Sequence, residues 1–471
     1  MKYDYEDLYA AKKTYGQDIN TSLGNAADPI DADQKLQEDA LMSYVASVNY
    51  SYDDKYYASF SFRRDGSSRL SPDTRWGNFW SLSASWRLSQ EKFMQSLKSV
   101  LSDLKLRASY GVNGNLPSSY YGYQSTYTTG AFYNGKPSPW ESTLGNEELT
   151  WEKNYALNLG LDIGLFSRVN VSLDWYTRTT KDLLMSKQLN SISGFSSLLT
   201  NVGQMRNTGV ELEVRSNNIK TKDFSWTTAF NLSHNKNKIL KLADLPWFVD
   251  GRYVRKEGYP FNTIYLREYA GVDPETGSAL YYDNQQDENG NYTKNKVTDP
   301  GQASPIPLKD ITPTISGGFM NTFNYKFIDL SFNLSYSFGG YSYDNASYIL
   351  QDDGYSVISN KSTEQRRRWQ KPGDITDVPR FVYGNKKGGN YNSSRAIHST
   401  DHIRLKSLIL GLNAPKAWLQ KLGIGNARIY FSGTNLLTWA AYGQYDPEMS
   451  GVVGFYTPPL KTYAFGLELK F

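Results

Sequence analysis

Large apolar residues alternate with small or polar residues along much of this chain, most regularly over its last ten residues, 462–471. A repeat of two residues is typical of a β-strand with one apolar and one polar face. About ten residues is also the length that a tilted strand needs to cross a bilayer, so this segment fits a membrane-spanning strand. Its apolar face consists of Tyr463, Phe465, Leu467, Leu469 and Phe471.

The same alternation recurs upstream and predicts about thirteen strands within 39–471. The phase of the pattern changes within 402–413, which predicts a β-bulge near Lys406 and Ser407. Residues 1–38 are polar and irregular, which predicts a loop. The predicted strands are 42–52, 58–63, 80–88, 106–112, 155–163, 169–175, 210–214, 226–232, 314–324, 328–338, 402–413, 427–431 and 461–471.

The connections between these strands alternate in length. Membrane barrels have short periplasmic turns and long extracellular loops, whereas a soluble meander has no reason to separate loop lengths by side. The chain is therefore predicted to be an all-β protein, a transmembrane antiparallel β-barrel in which 1–38 is an extracellular loop segment. The short connections are 53–54, 166–168, 217–222 and 325–326, with two intermediate ones, 89–104 and 414–425, that have room for a helical turn. The long connections are 64–78, 114–150, 180–204, 236–312, 340–401 and 436–460.

Composition is compatible with this fold and argues against other classes of protein. The mean hydropathy is −0.58, but barrel strands carry apolar residues only at alternate positions and average out as polar. Aromatic residues make up 15% of the chain, as interfacial girdles or ligand-facing loops would require. The absence of Cys excludes disulfides and thiolate metal sites. A net charge of +4 without a basic stripe argues against nucleic-acid binding.

The motifs of catalysis are not found in this sequence. The three histidines, His234, His398 and His402, form no metal-binding pair on a helix, and there is no Gly-x-Ser-x-Gly or phosphate-binding loop. We therefore expect no enzyme activity, cofactor or metal centre. The acidic run 283–291 spaces oxygen ligands as a calcium loop does, but it lacks the required Gly and terminal Glu and is also explained as a solvated turn.

Two groups of residues in the long connections are candidates for contact with a substrate or a partner. Aromatic side chains stack on sugar rings, although they also pack on one another to order a loop. An arginine run can bind an anionic ligand, or it can stabilise its own loop against acids such as Asp352 and Asp353. The candidates are Tyr120, Tyr121, Tyr123, Tyr127, Tyr133, Trp140, Trp247 and Phe248, together with Arg366, Arg367, Arg368 and Trp369.

Nine stretches, taken in order, give the chain a resemblance to a known family. Among them are Arg63-Arg64-Asp65-Gly66-Ser67-Ser68-Arg69, Asn201-Val202-Gly203-Gln204 and Tyr445-Asp446-Pro447-Glu448. With these residues the chain resembles the C-terminal half of SusC/RagA-type TonB-dependent transporters of Bacteroidetes-like bacteria. The full set is 52–69, 104–115, 149–153, 176–184, 201–211, 270–277, 433–437, 445–448 and the terminal strand.

The resemblance implies a 22-stranded barrel in the outer membrane, of which only the C-terminal part is present here. It also implies a signal peptide, a TonB-contacting segment and a plug domain, none of which this sequence contains. Charged residues on the polar strand faces would then face the plug, and we expect Asp174 and Arg178 to help to seat it. The plug-facing set is Arg63, Arg87, Arg107, Asp174, Arg178, Glu211 and Glu213.

The same resemblance implies active import of oligosaccharides or peptides. The expected partners are a SusD-like surface lipoprotein, the TonB complex, outer-membrane lipid and the barrel assembly machinery, which would recognise the terminal strand. Sugar and peptide importers share this framework, so the substrate stays open. The alternatives are a surface barrel that adheres without transporting, and a soluble all-β protein.

Overall fold

The computed structural model describes residues 2–11, 31–242, 245–356, 358–385, 392–415, 418–419 and 423–470, and it consists mainly of strands. The strands of the first half are β1 (Lys2–Ala11), β2 (Asp31–Tyr52), β3 (Tyr56–Ser67), β4 (Trp76–Arg87), β5 (Leu101–Asn115), β6 (Thr126–Tyr133), β7 (Lys136–Thr143), β8 (Glu152–Leu165), β9 (Val169–Lys181), β10 (Leu184–Gln188), β11 (Ser197–Asn201), β12 (Gln204–Lys220) and β13 (Phe224–Lys241).

The second half adds shorter strands and one short α-helix between the remaining long strands. These elements are β14 (Trp247–Asp250), β15 (Tyr253–Lys256), β16 (Thr263–Leu266), β17 (Tyr269–Val272), β18 (Ala279–Tyr282), β19 (Lys296–Val297), β20 (Ile306–Asp310), β21 (Ile315–Tyr325), β22 (Ile328–Phe338), β23 (Tyr341–Asp344), α1 (Asn345–Leu350), β24 (Ile397–Ser399), β25 (His402–Asn413), β26 (Asn426–Ala440), β27 (Gly451–Val453) and β28 (Thr462–Lys470). Short 3₁₀ helices span Leu88–Gln90, Lys92–Leu97, Ser191–Ser193, Pro300–Gln302, Thr363–Arg367 and Ser394–Ala396.

The long strands form one 14-stranded sheet in the order β1-β2-β3-β4-β5-β8-β9-β12-β13-β21-β22-β25-β26-β28. Pairings such as β2 with β3, β13 with β21 and β22 with β25 are antiparallel. Every strand predicted from the alternation is present in this sheet, and neighbours in the sheet follow one another along the chain. Among the described residues, no helix is long and apolar enough to cross a membrane.

The short connections are tight turns, as predicted. Asp53 and Asp54 have φ angles of 51° and 52°, and Phe166 and Ser167 both have 53°. Two consecutive left-handed residues are the geometry of the hairpin turn that matches the twist of antiparallel strands. The intermediate link between β4 and β5 contains two 3₁₀ helices, which confirms the predicted helical turns there.

The predicted bulge is also confirmed. Along β22 and β25, Asn333 pairs with Ser407 but Leu334 pairs with Leu405, so Lys406 is an extra residue on its strand. The same place shifts the register between β25 and β26. The extra residue explains why Leu405 and Leu408 can follow opposite phases in the sequence.

The prediction of an irregular loop for residues 1–38 is wrong for the part that the structure describes. Here β1 pairs with the beginning of β2 from Lys2↔Ala40 to Ala11↔Asp31. Residues 12–30 lie outside the described residues. The segment 31–39 is polar at nearly every position, so its strand carries no alternation for sequence reasoning to detect, and only the backbone pairing reveals it.

Two compact units are formed by the chain. The first comprises Met1–Ala84, Ser109–Leu157 and Arg178–Met205. Its buried core lies among the long connections of this unit and consists of Leu70, Phe79, Val112, Leu149 and Trp151.

Trp151 joins several of these connections. Its indole N–H donates to the carbonyl of Arg75 at 2.8 Å, and its ring packs edge-on against Phe79 at 5.2 Å. The Asn201 side chain accepts from the N–H of Thr150 at 2.7 Å and donates to its carbonyl at 2.8 Å. Residues of the resembling stretches 149–153 and 201–211 thus brace the loops of this unit.

The second unit comprises Ser85–Ala108, Asn158–Thr177 and Arg206–Phe471. Besides its long strands it contains three small sheets, with the strand orders β14-β15-β16-β20, β17-β18-β19 and β24-β23-β27. Its two buried clusters are Ile264, Leu266, Tyr343 and Ala396, and Ala279, Tyr281 and Ala303.

Candidate functional site

A cavity of about 450 Å³ lies in the connection between β13 and β21. We call it the loop pocket. Residues from all four strands of the sheet β14-β15-β16-β20 line it, and Val254 at its base is fully buried. Ligand sites in proteins have volumes of roughly 300–1,000 Å³. The loop pocket is therefore large enough for a small ligand or for part of a larger one.

Aromatic side chains form one part of the pocket lining. The rings of Trp247 and Tyr265 lie 5.9 Å apart with an interplanar angle of 48°, and Tyr292 adds a third ring. Burial and the neighbouring phenol of Tyr292 raise the pKa of Tyr265, so its hydroxyl stays protonated at physiological pH. This part of the lining offers flat apolar faces with hydroxyl groups at their edges.

Amide side chains form another part of the lining, and Asn284 lies deepest among them. Asn284 is 2% exposed and has a φ of 49°. The ammonium of Lys294 donates to its Oδ1 at 2.9 Å, which fixes the orientation of the amide because an ammonium cannot accept. The Nδ2 of Asn284 has no hydrogen-bond partner among the described residues. Gln285 and Gln286 add further amides beside it.

The acidic run 283–291 uses its carboxylates to hold its own backbone. Asp287 accepts from the N–H groups of Asn291 at 2.8 Å and Asn289 at 2.9 Å, and these bonds hold the pKa of Asp287 below its usual range. Asp283 accepts from the hydroxyl of Thr293 at 2.8 Å. Among the described residues, no group of three or more His, Asp or Glu side chains is placed to hold a metal ion. This geometry fits the solvated turn rather than the calcium loop.

The predicted aromatic candidates have different surroundings in the structure. Tyr120 stacks under the guanidinium of Arg69 at 4.1 Å, and the hydroxyl of Tyr121 accepts from the N–H of Glu38 at 3.2 Å. These two side chains brace their own unit. Trp247 lines the loop pocket, and Phe248 beside it is half-buried. Tyr123 is half-buried, whereas Tyr127, Tyr133 and Trp140 on the hairpin β6–β7 are exposed.

The arginine run is exposed, but Trp369 beside it is not free. The indole N–H of Trp369 donates to the carbonyl of Pro274 at 2.8 Å, and the ring covers Gly277. Trp369 therefore joins its loop to the hairpin after β17. Arg366, Arg367 and Arg368 all face solvent.

The expected pairing of this run with Asp352 and Asp353 is wrong. The carboxylate of Asp353 is fully buried and binds Arg395 at 2.6 Å, while Asp352 binds Lys361 at 2.6 Å. Arg367 instead pairs with Glu364 at 2.7 Å, three residues earlier along its own 3₁₀ helix. Sequence proximity suggested the wrong cation because the chain returns past Asp353 more than forty residues later, at Arg395.

Arg107 joins two carboxylates on neighbouring strands. Its guanidinium donates to Asp162 at 2.8 and 2.9 Å and to Asp174 at 2.8 and 3.0 Å. Gly160 leaves room for this contact, because a Cβ there would lie 2.5 Å from the guanidinium carbon. Asp174 is thus held by Arg107, whereas Arg178 is exposed and makes no ion pair among the described residues.

The other predicted plug-facing charges are engaged along their own strands or are exposed. Arg63 pairs with Asp65 at 2.7 Å, and Arg87 with Asp103 at 3.0 Å. The predicted contact of the whole set with a plug stays a proposal. Glu211 and Glu213 are exposed, and Glu213 pairs with Arg215.

Two charged clusters were not found by sequence reasoning. Arg428 on β26 binds Asp329 on β22 at 2.6 Å, across β25, where Gly411 leaves the space. The second cluster centres on the buried Arg404, which binds Asp446 at 2.7 Å and Glu448 at 3.0 Å. The stretch 445–448 was seen as a resemblance only, and the alternation of polar residues gave no sign of these partners.

The terminal strand has the apolar face that the sequence predicts. Tyr463, Phe465, Leu467 and Leu469 are exposed along β28, and Phe465 pairs with Phe431 on β26. Phe471 lies outside the described residues. A role of this face in barrel assembly stays a prediction.

Comparison with protein families adds a match to the model described as TonB dependent receptor-like, beta-barrel, over residues 2–264. Among curated proteins, the chain is 33% identical to TonB-dependent receptor P3 of Formosa agariphila, covering 93% of this chain and 46% of that protein. It is 30% identical to TonB-dependent receptor SusC of Bacteroides thetaiotaomicron, covering 93% of this chain and 45% of that protein.

Among solved structures, the chain matches the RagAB peptide transporter with a TM-score of 0.88 and 30% identity. The match covers all of this chain and 52% of the matched chain. The chain thus spans about half the length of the curated relatives that it matches.

Proposed function

Because this chain belongs to the TonB-dependent receptor β-barrel family, we propose that it forms the substrate-facing wall of an importer in the outer membrane. The proposed activity is TonB-dependent uptake of oligosaccharides or peptides. The observation that carries the proposal is the likeness to the RagAB transporter over the whole chain, at a TM-score of 0.88. The long connections, with their own small sheets and a pocket, support a role in binding substrate.

We propose that a SusD-like lipoprotein docks on the long connections of the second unit. Large apolar side chains at their tips are almost completely exposed, which is rare on a protein without a partner. Ile358 is 94% exposed, Ile375 98% and Tyr383 80%. Energy coupling through the TonB complex is proposed from the family alone.

The proposal is tested by deleting the gene and measuring growth on defined oligosaccharides or peptides as the only nutrient. We expect growth on at least one of them to be lost, to return on complementation, and to require an intact TonB complex. Growth on the corresponding monosaccharide or amino acids serves as the control. If uptake of every oligomer continues without the protein while adhesion to surfaces is lost, the chain is a surface barrel and not an importer.

A further inference from the structure

We infer that the loop pocket is a subsite for one anionic sugar ring, carrying a carboxylate or a sulfate ester, of the substrate. The inference rests on the proposed import function, because it names the substrate class of that importer. It is carried by four features of the pocket: its aromatic faces, its amide groups, its single positive charge and its proline-containing edge.

The aromatic faces suit a sugar ring. A pyranose has apolar faces of axial C–H groups and a polar rim of hydroxyls, and it stacks on tryptophan and tyrosine. Trp247 is 45% exposed beside Tyr265, so one indole face is available to a ligand in the pocket. Tyr292 lies on the rim and is 36% exposed.

The amide groups suit the hydroxyls of a sugar. An Asn or Gln side chain offers donors and an acceptor in one plane, as a pair of neighbouring hydroxyls requires. Gln285 and Gln286 line the pocket next to Asn284, whose Nδ2 has no hydrogen-bond partner among the described residues. A buried donor without a partner is costly, so a ligand oxygen bound there would stabilise the pocket.

The charge of the lining favours an anion. Lys256 is the one charged side chain among the described residues that line the pocket. The acids nearby are already engaged: Asp283 binds Thr293 and Asn295, and Glu268 binds Lys294. A carboxylate or sulfate that enters the pocket therefore meets a positive charge and no competing carboxylate.

The edge of the sheet argues against an extended peptide as the ligand. Peptides commonly bind by adding a strand to a free edge, which needs main-chain N–H groups. The edge strand β20 carries Pro307, and Pro305 precedes the strand, so two N–H groups are missing where the pocket is lined. Recognition through side chains remains, and this favours a sugar.

The test measures direct binding to the purified receptor by calorimetry, which does not depend on transport. The probes are an oligogalacturonate, its carboxyl-reduced neutral counterpart, a sulfated galactan oligosaccharide and an acidic peptide of similar length. The variants are Lys256→Gln, Trp247→Ala and, as the matched control, Lys296→Gln, which removes an exposed charge from the same connection outside the pocket.

We expect an anionic oligosaccharide to bind better than the neutral one, and Lys256→Gln to weaken it about tenfold with no effect on the neutral one. Trp247→Ala should weaken both, and Lys296→Gln should change neither. The uronate and the sulfated probe show which anionic group is recognised. Equal binding of the charged and neutral sugars, or binding of the peptide alone, overturns the inference but leaves import intact. Loss of import function in the growth test, with sugar binding unchanged, would count against the importer instead.

Discussion

Arg107 illustrates how single residues hold neighbouring strands together on the polar face of the sheet. Its guanidinium binds one carboxylate on β8 and another on β9, each through two hydrogen bonds. Gly160 makes this possible by leaving the space that a side chain would fill. Asp329, Arg428 and Gly411 repeat the arrangement farther along the sheet.

Arg107→Met should destabilise the protein, because it keeps the aliphatic stem but leaves Asp162 and Asp174 without their shared cation. The three side chains are 29–35% exposed, so solvent screens the loss and we expect about 1–2 kcal/mol. The measurement is thermal unfolding of the receptor in detergent. Arg178→Met removes an exposed arginine and should leave the transition unchanged, and equal transitions for both variants would contradict this role of Arg107.

At the scale of elements, the bulge at Lys406 keeps two parts of one strand in the correct orientation. Side chains alternate with a period of two, so one extra residue reverses every later position. With the bulge, Leu408, Leu410 and Leu412 lie on the apolar face although Leu405 follows the other phase.

Deletion of Lys406 should therefore prevent assembly of the barrel. Without the extra residue, either the leucines after it turn to the polar face or the pairing with β22 and β26 is lost. The measurement is the shift of the folded protein on unheated denaturing gels. Deletion of Gly443, which lies in a long connection with open space around it, is the control and should assemble normally.

The small sheet β24-β23-β27 carries a titrating group that makes it sensitive to pH. His398 stacks on Tyr442 with ring centres 3.7 Å apart, and burial lowers its pKa from 6.5 despite the opposing charge of Asp344. The unfolded segment then binds the proton before the folded one does. The stability of this sheet is full above about pH 6.5 and declines as the pH falls below that value.

Hydrogen exchange of the region 339–401 should consequently become faster between pH 7 and pH 5, after correction for the intrinsic rate. His398→Phe keeps a ring for the stack with Tyr442 but cannot titrate, so its exchange should not show this change. If the variant shows the same acceleration as the wild type, another group is responsible.

At the scale of the whole molecule, the sheet and the long connections have separate sources of stability. The sheet is held by pairing between strands that follow one another along the chain. The long connections of the second unit have their own buried clusters and small sheets. Assembly of the barrel and binding of substrate should therefore be separable.

Replacing residues 242–314 with a short Gly-Ser linker should leave assembly intact, because β13 and β21 are direct neighbours in the sheet. Uptake should be lost, since the loop pocket is removed. Gel mobility and growth on the oligomer measure the two properties. The pair Trp247→Ala and Tyr265→Ala in the intact connection should reproduce the loss of uptake, which separates loss of the pocket from loss of the loop.

Much of this architecture was predictable from the residues themselves. Strands, tight turns and the bulge depend on alternation and on turn residues, which are local properties. Strand β1 was missed because its partner segment 31–39 has no apolar face. For the site, the sequence selected Trp247 as an aromatic residue of a long connection, but not Tyr265, Lys256 or Asn284.

The sequence by itself determined the class of the fold, the number and phase of nearly all its strands and the side on which the long connections lie, because each follows from patterns within about ten residues. Only the tertiary structure decided which groups meet. Asp353 binds Arg395 rather than the nearer arginine run, and Arg107 rather than Arg178 holds Asp174. The loop pocket combines residues from 247 to 307 that no periodicity relates. Ion pairs and pockets depend on distances in space, which chain folding sets and sequence spacing does not reveal.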